Sequence, residues 1–399
     1  MPAPPRGHSP PQLPIPDPET AARSAALLAR VSERIAARGG PIPFAEYMEL
    51  VLYAPGLGYY AGGLRKFGAE GDFVTAPEIA PLFSRCLARQ CAEVLAELGG
   101  GEILEFGAGS GAMAAGILGE LRGLGCEPER YGILEVSGEL RARQRETLAA
   151  LVPGELGRVQ WLDRLPESPL RGVVLANEVL DAMPVERFRI VPDGVHELQV
   201  DREGERLIWA EGPAGGRLAA TVERLQQDLP EPLAPGYSSE VNPTFEPWLA
   251  GVADVLDAGA VLLIDYGYPR HEYYHPERAT GTLMCHYRHH AHSDPLILPG
   301  LQDITAYVDF TAVAQAGVDA GLRLAGYTTQ AHFLLGAGLT ELLADSDPTD
   351  VRRHLALTQQ VKTLTLPGEM GERFKALAFT RGFDAPLAGF ALRDLRDRL

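Results

Sequence analysis

In the stretch Glu105-Phe-Gly-Ala-Gly-Ser-Gly111 a carboxylate stands two residues ahead of three glycines at alternate positions, Gly107, Gly109 and Gly111. Glycines so spaced let the backbone turn tightly and let a ligand approach main-chain atoms that a Cβ would shield. The chemistry this suits is nucleotide-cofactor binding, and Gly107-x-Gly109-x-x-Ala112 also satisfies the dinucleotide pattern, which admits alanine at its last position. Glu105 separates the two options. A carboxylate beside the loop suits a ligand with a cationic amino-acid end and suits a pyrophosphate poorly. S-adenosylmethionine carries an ammonium and a sulfonium and no phosphate, so it is the expected cofactor, with a nicotinamide dinucleotide as the alternative.

Two further acids end apolar runs that read as strands. Glu135 closes Tyr131-Gly-Ile-Leu-Glu135, where an acid accepts from ribose hydroxyls, and Asp163 closes Val159-Gln-Trp-Leu-Asp163, where an adenine amino group is received. Any one of these acids could be a plain helix cap; it is the set beside a glycine loop that points to a cofactor. Thr75 and Asn177 complete the candidate cofactor-binding residues.

The elements that must position these residues read as a Rossmann-like α/β sheet. Ile103, Leu104 and Phe106 form a buried strand, and Met113, Ile117, Leu118 and Leu121 give the helix after the glycines its periodicity. Arg171-Gly-Val-Val-Leu-Ala176 and Gly259-Ala-Val-Leu-Leu-Ile-Asp265 read as further parallel strands, and Leu322–Tyr327 and Phe374–Phe379 as late strands that complete a seven-stranded sheet. Ahead of the sheet, Leu27, Leu28, Val31 and Ile35 make a helix that stops at Gly39-Gly40, and Pro43–Tyr53 makes a second. Thr75 and Glu78 carry capping-box spacing before a third helix, whose stripe of Leu82, Phe83, Cys86, Leu87, Cys91, Val94, Leu95 and Leu98 makes the two cysteines core residues. From Val185 to Gly212 alternating apolar residues, an Asp193-Gly194 turn and a second turn at Arg202-Glu-Gly204 suggest a small antiparallel meander inserted beside the active face.

The expected organisation is therefore a Pro-rich disordered tail (1–19), an N-terminal helical cover (20–98), a cofactor-binding half-sheet (99–184), a meander insertion (185–258) and the remaining strands (259–399). Within the last, 268–310 shows little regular structure and reads as a lid. That segment holds six of the ten histidines, but without carboxylate or thiolate partners at a recognised spacing, so no metal is expected.

Composition bounds the partners. The 399 residues are 46% apolar, enough for a large core, and the formal net charge of −17 argues against a nucleic-acid backbone and leaves room for a cationic protein or peptide. Cys86, Cys91, Cys126 and Cys285 show neither metal spacing nor a disulfide framework. No run reaches the length of a membrane span and the first residues lack a secretory apolar core, so the expectation is a cytoplasmic protein without membrane insertion.

Several motifs in order resemble one family. Gly71-Asp-Phe-Val-Thr-Ala-Pro-Glu-Ile79, Leu104–Gly111, Leu134-Glu-Val-Ser137, Asn177-Glu-Val-Leu-Asp-Ala-Met-Pro-Val185, Asp265-Tyr-Gly267, Asp303-Ile-Thr-Ala-Tyr-Val-Asp-Phe310 and Gly371-Glu-Arg-Phe374 are similar to those of the MidA family, over about Phe44 to Phe379. The resemblance implies a class I methyltransferase fold with six parallel strands and an antiparallel seventh. It also implies S-adenosylmethionine as cofactor and symmetric dimethylation of arginine in the quinone-module subunit of respiratory complex I. If the acceptor is a guanidinium, carboxylates that bind it bidentately orient it and localise the reactive nitrogen. Glu178 and Asp181 just past the fourth strand are candidates for this catalytic role, with Glu240 a further one. Were a helix to begin after Ala176, their i and i+3 spacing would put Glu178 and Asp181 on one face. An assembly factor that binds cofactor and client without transferring methyl is the competing possibility, and the sequence leaves a homodimer open.

Overall fold

The computed structural model describes residues 13–62, 76–344 and 349–399, apart from the side chain of Arg353. Two helices open it, α1 (Pro18–Arg38) and α2 (Phe44–Tyr53). Asp17 caps α1 by accepting from the amides of Glu19 and Thr20, and Gly39 ends it at φ 76°, a conformation open to glycine that lets its own amide return to Ala36 and Ile35. A third helix, α3 (Pro81–Leu98), leads into the main sheet.

That sheet has seven principal strands: β1 (Glu102–Phe106), β2 (Tyr131–Leu134), β3 (Val159–Leu162), β4 (Leu170–Asn177), β5 (Leu256–Tyr268), β6 (Arg323–Thr329) and β7 (Phe374–Arg381). Their spatial order is β6-β7-β5-β4-β1-β2-β3. β1 pairs in parallel with β2 and β4, β2 with β3 and β4 with β5, while β7 runs antiparallel to both β5 and β6. This is the expected class I methyltransferase arrangement, with one reversed strand beside the end of the sheet.

Period-two alternation sends each strand's side chains to two cores. Ile103, Val173, Leu175, Leu262 and Ile264 pack on one face with α3 and with α4 (Ala112–Leu124). Leu104, Phe106, Val174, Val261 and Leu263 pack on the other with the helices Phe245–Val255 and Phe310–Asp319. Cys86 and Cys91 are buried in the first core, as their stripe implied.

The meander is present as strands Glu186–Val191, Gly194–Glu203 and Arg206–Pro213, joined by Ser238–Val241 and by Ile42–Pro43 into a separate antiparallel sheet. Two groupings differ from expectation. The stretch 20–98 is divided: α1 and α2 pack away from the main sheet, whereas α3 lies against it. The segment 268–310 is not irregular, because Met284–Tyr287, His290–His292 and Asp303–Thr305 form a three-stranded antiparallel sheet. Strands this short leave no periodicity to read. Their hairpin also turns on Arg288 and His289, both at positive φ (46° and 63°), where glycine or asparagine is the usual signal. Leu283, Cys285 and Ile304 share a core with Leu27, Phe44, Tyr47 and Val51, so this small sheet and the two N-terminal helices make one roof.

Among the described residues no helix is long and apolar enough to cross a membrane, and no group of three or more His, Cys, Asp or Glu is placed to hold a metal.

Candidate active site

Between the carboxyl ends of β1, β2 and β4 and the roof lies a cavity of about 600 Å³. Ligands of open α/β sheets sit at this edge, and the volume is in the range of small-molecule sites.

One end of the cavity is built by the glycine turn. Gly107, Gly109 and Gly111 all have positive φ (61°, 52° and 84°). A Cβ on Gly107 would lie 3.2 Å from Val179 Cγ2, and one on Gly111 would lie 3.1 Å from the Gln144 backbone. Gly111 begins α4 with no side-chain cap, which leaves first-turn amides of the helix for a ligand. Glu105 is fully buried on the cavity wall. The Tyr131 hydroxyl donates to its Oε2 at 2.6 Å while Oε1 has no partner, and burial pushes its carboxyl up to about 7. An orphaned buried carboxylate oxygen is costly without a donor, so a cationic or N–H-bearing ligand fits here. Glu135 accepts from Ser137 N at 2.9 Å and from Gln144 Nε2 at 3.2 Å and also lines the cavity, with the exposed apolar Val136 beside it.

The other end is a turn after β4. Asn177, Glu178 and Asp181 line the same cavity as the glycine loop. No helix starts here: residues 178–183 form an irregular turn, with Glu178 at φ 53°. The two acids therefore converge through a turn, not through helical spacing. Asn177 donates to Glu178 Oε1 at 3.2 Å, the Tyr266 hydroxyl donates to Asp181 Oδ2, and Asp181 Oδ1 has no partner. Burial first, and then the Asp181 charge, raises Glu178 to about 8; burial raises Asp181 to about 6. Each of these acids holds its proton more tightly than in water, a condition that a bound cation relieves.

Two expected residues sit elsewhere. Asp163 is not in the cavity wall; its side chain is 88% exposed and is drawn to Arg141 at 2.7 Å. Glu240 is buried but fully engaged, ion-paired to Arg187 at 3.0 Å and accepting from Thr282 N at 2.9 Å, which ties the meander sheet to the roof segment. Thr75 lies outside the described residues. Of the clustered histidines only His286 reaches the cavity.

Aromatic residues not singled out from the sequence complete the wall. Tyr53 and Tyr60 stack at 5.5 Å, and their hydroxyls donate to Ala182 O at 2.9 Å and to Asp303 Oδ1 at 2.8 Å. Tyr266 meets Tyr307 and Phe374 edge-on at 5.3 and 5.4 Å. For Tyr266, Tyr307 and Phe374 the only sequence signal was their place inside the motifs Asp265-Tyr-Gly267, Asp303–Phe310 and Gly371–Phe374.

Over residues 86–328 the chain matches the family model described as "Putative S-adenosyl-L-methionine-dependent methyltransferase". It is 30% identical over 382 residues to the protein arginine methyltransferase NDUFAF7, mitochondrial, of Danio rerio, covering 88% of this chain and 85% of that one. The human counterpart is 29% identical over 369 residues. A crystal structure from Burkholderia thailandensis, bound to S-adenosyl-homocysteine, superposes with TM-score 0.92 at 49% identity, over 97% of this chain and 100% of that one. These findings select S-adenosylmethionine over the nicotinamide dinucleotide. They also overturn the cytoplasmic expectation, since the curated relatives are named as mitochondrial. The lack of an apolar span never distinguished an organelle's interior from the cytoplasm.

Proposed function

We propose that this chain, which belongs to the S-adenosyl-L-methionine-dependent methyltransferase family, passes the methyl group to an arginine guanidinium of a protein. The cofactor, when bound, supplies an electrophilic methyl on a sulfonium whose departure leaves a neutral thioether. On this reading Glu105 meets its cationic amino-acid end, the Gly107–Gly111 turn lets its backbone-facing atoms approach, and Glu135 accepts from its sugar hydroxyls.

What remains for the protein is alignment, exclusion of water and removal of one proton. Glu178 and Asp181 hold the guanidinium as a planar cation and so fix which nitrogen faces the methyl. Methylation of a guanidinium nitrogen releases a proton. The adjacent guanidinium favours the ionised form of Glu178, which is then placed to take that proton, and the burial that raises the free carboxyl to about 8 keeps it basic enough to do so near neutral pH. The stacked tyrosines and the ring of Tyr266, Tyr307 and Phe374 supply faces on which a cation rests.

The observation that carries this reading is the pair of carboxylates in the same cavity as the glycine turn, one with an unpartnered oxygen. The names of the relatives and the MidA resemblance support a protein acceptor, with a complex I quinone-module subunit as the first to try. Incubation of the protein with tritiated S-adenosylmethionine and that subunit should leave label on arginine after hydrolysis. Absence of label on protein would favour an assembly factor that only binds the cofactor, and label on another residue would displace the arginine assignment. We also assign the roof, residues 268–310 with α1 and α2, the task of keeping water out. Hydrogen exchange there should slow when the cofactor is added; unchanged exchange would remove that role.

A further inference from the structure

We infer that Asp265, which does not line the cavity, is the residue that positions the acceptor carboxylates. The inference rests on the reading that Glu178 and Asp181 bind the acceptor. Asp265 lies near the end of β5, fully buried, in register with Lys375 of β7. Its Oδ2 accepts from three consecutive amides of the acid-bearing turn, Val179 at 3.1 Å, Leu180 at 2.9 Å and Asp181 at 3.3 Å. Its Oδ1 accepts from the Tyr266 amide at 2.9 Å. The preceding residue adds a fourth anchor, because Glu178 N donates to Ile264 O at 2.9 Å.

Every backbone donor from 178 to 181 is thus held by two adjacent residues of one strand. The need for such a hold is visible at Glu178, whose φ of 53° is one that side chains with a Cβ rarely adopt. A residue in that region persists only where its surroundings over-determine it. The strand continues the arrangement at its next residue, since the Tyr266 hydroxyl fixes Asp181 Oδ2, while the buried Oδ1 is left without a partner. From the roof side Tyr53 binds Ala182 O at 2.9 Å. Burial and the neighbouring Asp181 and Glu178 carboxylates push Asp265 upward, against four amide donors that favour its ionised form. Replacing one carboxylate oxygen by an NH₂ turns an acceptor into a donor facing either the turn or Tyr266 N, so Asp265→Asn is a near-isosteric way to release the grip.

The test combines a double-mutant cycle with amide exchange on the full chain. In Asp265→Asn the transfer efficiency toward an arginine-bearing protein should fall about 10- to 100-fold, with cofactor affinity within about threefold. If Asp265 acts through the acid turn, adding Asp265→Asn to Glu178→Gln should cost little beyond Glu178→Gln alone. The amides of Val179, Leu180 and Asp181 should exchange about tenfold faster in Asp265→Asn than in wild type, while those of β1 and α4 keep their protection. Multiplicative losses in the double variant, or unchanged exchange at the three amides, would overturn the inference. Should Asp265→Asn not fold, wild-type protein decides: exchange at those amides as fast as at surface loops would overturn it equally. Intact transfer in Glu178→Gln alone would instead bring down the acceptor reading, and the inference with it, whereas impaired transfer there with a silent Asp265→Asn removes only the inference.

Discussion

Two turns leave the same edge of the same sheet, one after β1 and one after β4, and both pass through the left-handed backbone region. In the first, every residue at positive φ is a glycine: Gly107, Gly109 and Gly111 at 61°, 52° and 84°. In the second the residue at positive φ is Glu178, at 53°, and it keeps its side chain. The first conformation is available locally, because glycine visits it at no steric cost. The second is enforced from a distance, by Asp265 and Ile264 on the neighbouring strand. A turn that residue type permits can serve as a cradle of backbone. A turn that tertiary contacts impose can carry a carboxylate at the place where the backbone bends, which a glycine would forbid.

The largest effect expected from breaking this contrast is on turnover. With Glu178 holding the acceptor as proposed, Glu178→Gln removes a charge-assisted contact worth about 1.5 to 3 kcal/mol, so methyl transfer should slow roughly 10- to 100-fold while cofactor affinity changes only a few-fold. Asp181→Asn should act in the same direction. Labelled-methyl transfer beside cofactor calorimetry separates the two ends of the cavity, and full activity in Glu178→Gln would end the case for an acid clamp.

At the glycine end, Gly109→Val forces a β-branched residue to φ 52°, a strain of about 1 to 3 kcal/mol. Cofactor affinity should drop by about an order of magnitude in a protein that still folds. Wild-type affinity in that variant would mean that the cradle tolerates side chains and that the contrast between the turns is false.

A smaller effect appears in stability against pH. The folded-state carboxyl of Glu178 is raised from 4.5 to about 8, so across that interval the folded protein binds more protons than the unfolded chain. The contribution is present at low pH and is lost as pH rises toward about 8. Glutamine cannot ionise. The melting temperature of Glu178→Gln minus that of wild type should therefore grow from pH 5 to about pH 8 and then level off, in the absence of ligand. A constant difference would place the ionised carboxylate in a better solvated setting than the structure has it. Least affected should be Asp163→Asn, whose carboxylate is exposed and bound to Arg141. Cofactor affinity within about twofold of wild type is expected, because exposed ion pairs contribute roughly 0 to 1 kcal/mol; a tenfold loss would return Asp163 to the cofactor's surroundings.

How far the site was legible followed the range of the forces involved. Glu105 and Glu135 both line the cavity, as their places in the sequence suggested, one ahead of the glycine turn and one at the end of the next strand, since strand and turn are contiguous there and side-chain direction follows from a period of two. Asp163 satisfied the same strand-end pattern but does not line the cavity; its side chain is exposed and paired with Arg141, 22 positions earlier. Glu240 was a plausible acid until the fold supplied Arg187. The roof sheet escaped notice because its strands are three or four residues long and its hairpin turn uses arginine and histidine.

By itself the sequence determined the α/β sheet, the order of its strands along the chain, the meander and the glycine cradle. Each of these is written in local periodicity, turn residues and backbone permissiveness, which act over a few residues. Only the tertiary structure decided which acids face the cavity and which are spent on arginines. It also decided that Glu178 sits in a backbone region normally left to glycine, and that Asp265, 84 positions beyond Asp181, holds the turn that carries both acids. Those outcomes depend on hydrogen bonds and burial between segments far apart in the chain, and a carboxylate's role follows from the donors that fold around it.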